Sequence, residues 1–254
     1  MSVRSPVVMT IAGSDSSGGA GVQRDLEVFS ALGVDGVSAV SALTAQNPER
    51  ILDIHVPPPE SVSAQIAALL GFYDIKAAKT GMLPTAEIIE AVATALASRR
   101  FPLVVDPVMV SSSGRALMDS AAFDALRSAL LPVASWATPN IPEAEKLLGG
   151  AEIADVDSMR SAAAEIAGKW SLSCVLKGGH AGFAGDRAVD VVALDDGTVF
   201  ELESERVGGL DAEAAHGTGC AFSAALAAEL AKGANPKTAA ENAKRYLSES
   251  LLSR

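Results

Sequence analysis

The chain has 254 residues, 49% of them hydrophobic and 20% charged, which supplies a substantial buried core and excludes disorder as the dominant state. The 31 acidic and 20 basic side chains leave a formal charge of −11, the wrong sign for a surface that tracks nucleic acid or an anionic membrane. An anionic ligand must then be met locally, by loop amides, a few lysines or a metal.

Residues 7–12 form a buried-strand pattern that stops at Gly13. Val22, Leu26, Phe29 and Leu32 then recur at helical spacing until Gly33 ends the stripe. Residues 37–43 read as the next strand, 62–70 as a helix, 75–79 as a strand and 88–96 as a helix. A strand at 103–105 runs into Asp106-Pro107, a helix covers 123–131, and 136–138 leads into Pro139. Helices at 143–148 and 159–167 precede a strand at 173–176. Alternating apolar residues on either side of Asp195-Asp196-Gly197 predict a β-hairpin, and helices at 218–230 and 236–252 close the chain. Strands alternating with helices predict an α/β fold, a mostly parallel sheet covered on both faces, in a single domain over 1–254. No apolar run reaches membrane-spanning length, and the first residues lack the pattern of a cleaved leader. Cys174 and Cys220 cannot make a disulfide framework, so a reducing cytoplasm is the expected compartment.

In such a sheet a ligand sits outside the carboxyl ends of the strands, where this sequence concentrates its glycines and polar residues. The segment 13–21 carries four glycines between a strand and a helix, which lets backbone approach a ligand closely. It has neither the Gly-Lys-Ser/Thr ending of a nucleotide P-loop nor a dinucleotide fingerprint at the right spacing. Asp25, one turn on, also fits a solvated first-turn acid. Gln46 offers a donor and an acceptor together, suited to a ring nitrogen beside an amino group, or to loop backbone. Asp106 and Glu143 are rim carboxylates of the kind that hold Mg²⁺, although Asn140 with Glu143 three positions on also fits a capping box. Lys79 and Lys177 end apolar strands, where each either neutralises phosphate or snorkels to solvent.

His216-Gly217-Thr218-Gly219-Cys220 opens an Ala-rich helix with consecutive amides at its positive end, an anion hole suited to a phosphoryl group. Cys220 in that first turn is expected to favour thiolate and act as a base; its alternative is a small buried hydrophobe, which suits Cys174 better. His55, His180 and His216 lack metal-ligand spacing.

From about residue 8 to 247 these segments resemble, in order, the hydroxymethylpyrimidine/phosphomethylpyrimidine kinases of thiamine biosynthesis, within the ribokinase-like superfamily. The resemblance rests on Ala12-Gly13-Ser14-Asp15, Thr44-Ala45-Gln46-Asn47, Lys79-Thr80-Gly81-Met82, Asp106-Pro107-Val108-Met109, Thr138-Pro139-Asn140 with Glu143, Lys177-Gly178-Gly179-His180 and the run ending at Cys220. It implies a three-layer αβα fold and two ATP- and Mg²⁺-dependent phosphorylations, first of 4-amino-5-hydroxymethyl-2-methylpyrimidine and then of its monophosphate. It further implies a homodimer, with no nucleic-acid or membrane partner. By matching positions, Gln46 would bind the pyrimidine, with Gly13, Asp25, Met82 and Val108 lining its pocket. Lys177, Asn140 and Thr218 would contact the nucleotide, and Asp106 and Glu143 would organise Mg²⁺. Cys220 would take the hydroxyl proton while Gly217, Thr218 and Gly219 stabilise the developing charge. The sequence departs from the family at Ala214-Ala215, where Asn-Thr is usual, in the acidic Gly-rich stretch 208–213, and at Pro48, where Thr is usual. Competing expectations are a pyridoxal or pyridoxine kinase, a non-catalytic pyrimidine- or nucleotide-binding regulator, and a nicotinamide dehydrogenase. The missing fingerprint weighs against the last.

Overall fold

Alternation of buried apolar residues along each strand sends successive side chains to opposite faces of one sheet, and helices cover both. The computed structural model describes residues 5–47, 49–111, 114–179, 185–206 and 216–252. Nine strands lie in the order β3-β2-β1-β4-β5-β6-β7-β8-β9. They are β1 (Val7–Asp15), β2 (Asp35–Gln46), β3 (Ile51–His55), β4 (Ile75–Thr80), β5 (Leu103–Val105), β6 (Trp136–Ala137), β7 (Ser173–Leu176), β8 (Arg187–Ala193) and β9 (Val199–Glu205). The six strands from β2 to β7 are parallel, while β3 pairs antiparallel with β2 and β8 and β9 extend the other edge antiparallel.

The helices are α1 (Gly21–Ala31), α2 (Pro59–Phe72), α3 (Ala86–Leu96), α4 (Ser120–Ala125), α5 (Ile141–Leu147), α6 (Val156–Trp170), α7 (Thr218–Ala231) and α8 (Pro236–Leu252). On one face Met9, Ile11, Val105, Cys174 and Leu176 pack with residues of α2 to α6 such as Ile66, Ile89, Leu147 and Ile166. On the other, Val8, Val104, Trp136 and Val175 pack with Phe29 of α1, Phe222 and Leu226 of α7 and Ala240 of α8. The result is the three-layer αβα fold that the alternation and the resemblance predict.

Three details differ from the sequence reading. β1 runs to Asp15 and β2 to Gln46, so two expected loop residues are strand ends. Residues 51–55 form a short edge strand whose Leu52 is 65% exposed, so the edge lacks the apolar alternation that marks a strand. The expected helix over 123–131 is α4 followed by a π-turn at Leu126–Leu130 and a 3₁₀ turn at Leu131–Val133, where Pro132 cannot donate an α-helical bond.

The chain leaves β1 to β2 on one side and later returns to β4 on the other, so the connections diverge at β1. That switch point opens a crevice at the carboxyl ends of the strands. Asp15, Gln46, Thr80, Asp106 and Lys177 all stand at or just past those ends.

Candidate active site

The amino end of α7 closes over the strand ends because glycine allows it. Gly217 is the N-cap at φ +75° and has no side chain with which to cap the helix itself. A Cβ at Gly217 would lie 1.9 Å from the Gly19 carbonyl oxygen, so only glycine permits this approach to the β1–α1 loop. A Cβ at Gly219 would meet Lys177 Nζ at 3.2 Å, which sets the first turn of α7 against the lysine that follows β7.

Beneath that turn lies a chain of charges. Lys177 Nζ donates to Asp106 Oδ1 at 2.9 Å. Thr138 Oγ1 donates to the same oxygen at 3.0 Å, and Ser223 of α7 donates to Oδ2 at 3.2 Å. Burial opposes both charges, but each offsets the other: Lys177 and Lys79 hold Asp106 below its ordinary range, and Asp106 and Glu143 hold Lys177 above its own. Glu143 does form the capping box with Asn140, accepting the Asn140 amide at 2.8 Å, and its other oxygen accepts the Met109 amide at 3.4 Å. Burial, with the Asp106 charge added, pushes Glu143 up to about 7. The capping and rim readings of Glu143 are thus compatible.

Asp25 and Lys79 are placed differently from either expectation. Both are fully buried; Lys79 Nζ contacts the two Asp25 oxygens at 2.8 and 2.9 Å, and Thr10 Oγ1 donates to Asp25 at 2.5 Å. Asp25 is therefore no surface of a pocket, and Lys79 neither snorkels nor reaches a rim phosphate; the pair ties α1 to β4 below the site. Burial is the largest single influence on the Lys79 ammonium and works against it, but Asp25, Cys220 and Asp106 together raise its pKa.

Cys220 is partly open, in contrast to the sealed Cys174. Burial pushes its thiol up, and the charges of Asp25 and Asp106 add to this; the Lys79 ammonium and the Gly21 amide pull the other way. The balance leaves the thiol above its ordinary range, with burial the largest influence.

A small apolar cluster, apart from the two core layers, joins Met82, Ala42 and Leu117, with Ile51, Ile54 and Val108 against them. A Cβ at Gly13 would touch Met82 Sδ at 3.3 Å. Gly13, Met82 and Val108 thus share one neighbourhood. Gln46 stands at the end of the next strand, its backbone bonded to Ser16 Oγ in both directions at 2.8 Å. His216 Nε2 lies 3.2 Å from the Gln46 side-chain amide nitrogen and 2.8 Å from Asp15 Oδ2.

Asp15 and His216 both stand in motifs quoted from the sequence, which gave neither of them a role. Asp15 and His216 lie 201 positions apart; the available hints were an acid ending an apolar strand and an imidazole just before Gly217. His180, Pro48 and the stretch 207–215, with Ala214-Ala215, lie outside the described residues. Among the described residues, no group of three or more His, Cys, Asp and Glu side chains is arranged to hold a metal, and no helix is long and apolar enough to cross a membrane.

A family model described as phosphomethylpyrimidine kinase matches residues 15–254. The chain belongs to the phosphomethylpyrimidine kinase family. The hydroxymethylpyrimidine/phosphomethylpyrimidine kinase of Haemophilus influenzae is 44% identical over 246 residues, covering 96% of this chain and 90% of that protein. The crystal structure of phosphomethylpyrimidine kinase from Clostridium difficile matches with a TM-score of 0.83 at 35% identity, over 97% of this chain and 99% of that one. An ADP complex of Bacillus subtilis pyridoxal kinase matches with a TM-score of 0.86 at 37% identity, over 96% of this chain and 90% of that one. The phosphomethylpyrimidine kinase match spans every element described above from the last residue of β1 onward.

Proposed function

We propose that the chain transfers the γ-phosphoryl group of ATP to the hydroxymethyl group of 4-amino-5-hydroxymethyl-2-methylpyrimidine, and a second one to the resulting monophosphate, for thiamine biosynthesis. The observation that carries this reading is the glycine-opened first turn of α7 set against Lys177, with Cys220 in the same turn. Phosphoryl transfer needs positioning and charge stabilisation more than covalent participation. The amides of Gly217, Thr218 and Gly219 stabilise charge on the migrating group, and Lys177 with Asn140 and Thr218 positions the nucleotide phosphates. Cys220 Sγ accepts the alcohol proton as the oxygen attacks phosphorus, so its thiolate is the reacting form. Gly13, Met82 and Val108 give the ring an apolar seat, Gln46 reads its polar edge, and Asp25 acts from below by holding Lys79.

Buried Lys79 and partly buried Lys177 each already face a carboxylate, so a triphosphate brings negative charge that these side chains do not offset. The donor set fits Mg²⁺, which keeps several waters and needs one or two carboxylates beside the phosphates. Asp106 and Glu143 would hold it, and it would neutralise phosphate charge there.

Two free cysteines accord with a reducing cytoplasm, and the reading includes one kinase domain over 1–254 acting as a homodimer. Incubation with ATP, Mg²⁺ and the pyrimidine, followed by mass analysis, is expected to show monophosphate and then diphosphate; neither product forming refutes the reading. A pyridoxal kinase is the second reading, favoured by the TM-score of 0.86 to such an enzyme. Parallel turnover of both alcohols separates the two, and a tenfold preference for pyridoxal reverses the assignment. A purely regulatory binder has no use for the Lys177, Asp106 and Cys220 arrangement.

A further inference from the structure

The Asp15 carboxylate is saturated with donors. Oδ1 accepts the Ser17 amide at 2.9 Å and the Ser17 hydroxyl at 2.7 Å, and Oδ2 accepts the Ala20 amide at 2.9 Å. Burial opposes its charge, but His216 and Ser17 hold its pKa below the ordinary value, so it is ionised and can only accept. His216 Nε2, at 2.8 Å from Oδ2, must then carry the hydrogen and donate. That leaves no lone pair on Nε2 for the Gln46 amide group 3.2 Å away. The two ends of a glutamine amide have the same shape, and the hydrogen-bond network decides which one faces a neighbour. An N–H set against an N–H is repulsive, whereas the amide oxygen in the same place shares the one Nε2 hydrogen with Asp15 as the longer arm of a three-centre bond.

The surroundings leave the imidazole little freedom to choose otherwise. A Cβ at Gly19 would meet its Cδ2 at 2.5 Å, so the edge of the ring abuts the β1–α1 loop where glycine makes room. Its neighbour Gly217 is locked to the same loop through the Gly19 carbonyl, and Ser16 pins the Gln46 backbone. One imidazole therefore joins the ends of β1 and β2 to the start of α7.

We propose that His216, held by Asp15, is a positioning residue that turns the Gln46 amide oxygen inward and its NH₂ group to the open rim, so that the site selects ring substrates presenting a hydrogen-bond acceptor there. This rests on the reading of Gln46 as the group that recognises the heteroaromatic ring. It adds a direction: the fixed NH₂ donates to a ring nitrogen, and a ring with C–H at that place leaves the donor unpaired.

The test is equilibrium binding by calorimetry without ATP. The ligands are the hydroxymethylpyrimidine and its two pyridine analogues, each with one ring nitrogen replaced by C–H. The wild type is expected to bind one analogue at least about tenfold more weakly than the pyrimidine, the order expected for one lost hydrogen bond. His216→Leu frees the amide to rotate, and that preference falls below about threefold; His216→Gln, which can restore an N–H donor near the place of Nε2, keeps most of it. Affinity for a non-hydrolysable ATP analogue stays within about twofold in both variants, which a collapsed site would not allow. Should His216→Leu lose both ligands, Asp15→Asn decides, because it removes the charge that demands Nε2–H while keeping size, and it too is expected to lower the preference. Equal binding of all three ligands by the wild type overturns the proposal, as does an undiminished preference in a variant that still binds nucleotide. A wild type that binds nucleotide but none of the three rings refutes the reading of the pocket itself.

Discussion

Cys220 stands under opposed influences, and their balance sets the pH at which it can work. Burial and the charges of Asp25 and Asp106 favour the thiol, against Lys79 and the Gly21 amide. A raised pKa means that the reacting thiolate is the minor form at neutral pH, so turnover is expected to climb as pH rises until the thiol has titrated. Cys220→Ala is expected to lower kcat by about 10²–10⁴-fold, the usual weight of general-base catalysis, and to abolish that climb. Pyrimidine affinity should be retained, since the residue acts on the proton and not on the ring. Steady-state kinetics between about pH 6 and 9, beside calorimetric binding, checks both halves; unchanged turnover removes Cys220 from the mechanism.

Between elements, the Asp25–Lys79 pair joins α1 to β4 with both side chains at 0% exposure. A buried pair gains little over a well-packed apolar substitute, but removing one partner strands the other charge. Lys79→Met is therefore expected to cost about 3–5 kcal/mol in denaturant unfolding, and the double variant Asp25→Leu/Lys79→Met to recover most of it. Additive losses in the two single variants and the double would refute the coupling. The same pair shows where sequence reading stops. Apolar periodicity places α1 and β4 because each repeats its pattern within a few residues, and the glycines at 13–21 and 217–219 mark the turns. Nothing local says that Asp25 faces Lys79, 54 positions away, rather than solvent or a ligand. The edge strand at 51–55 escaped for a related reason: its identity comes from pairing with β2 and not from a buried face of its own. Positions at strand ends were legible; the partners they find across the rim were not, and Asp15 with His216 is the clearest case.

For the whole molecule, stability against pH should carry the mark of one group. Glu143 titrates near 4.5 when unfolded and at about 7 when folded, because burial penalises its charge. Between those values the folded state keeps a proton that the unfolded state has lost, so raising pH through this window removes stability. The loss is on the order of 3 kcal/mol once pH passes 7, a sizeable share of a typical folding free energy. The charge of −11 also destabilises the compact state as pH rises, but that repulsion is spread over the surface and is screened by salt. Glu143→Gln separates the two effects. It keeps one acceptor for the Asn140 and Met109 amides and cannot ionise, so it removes the Glu143 contribution and leaves the diffuse one. In Mg²⁺-free buffer, the Tm of Glu143→Gln minus that of the wild type is expected to increase steadily from about pH 5 to 8, at low and at moderate salt alike. Parallel pH curves for the two proteins would show that Glu143 ionises in the fold without penalty.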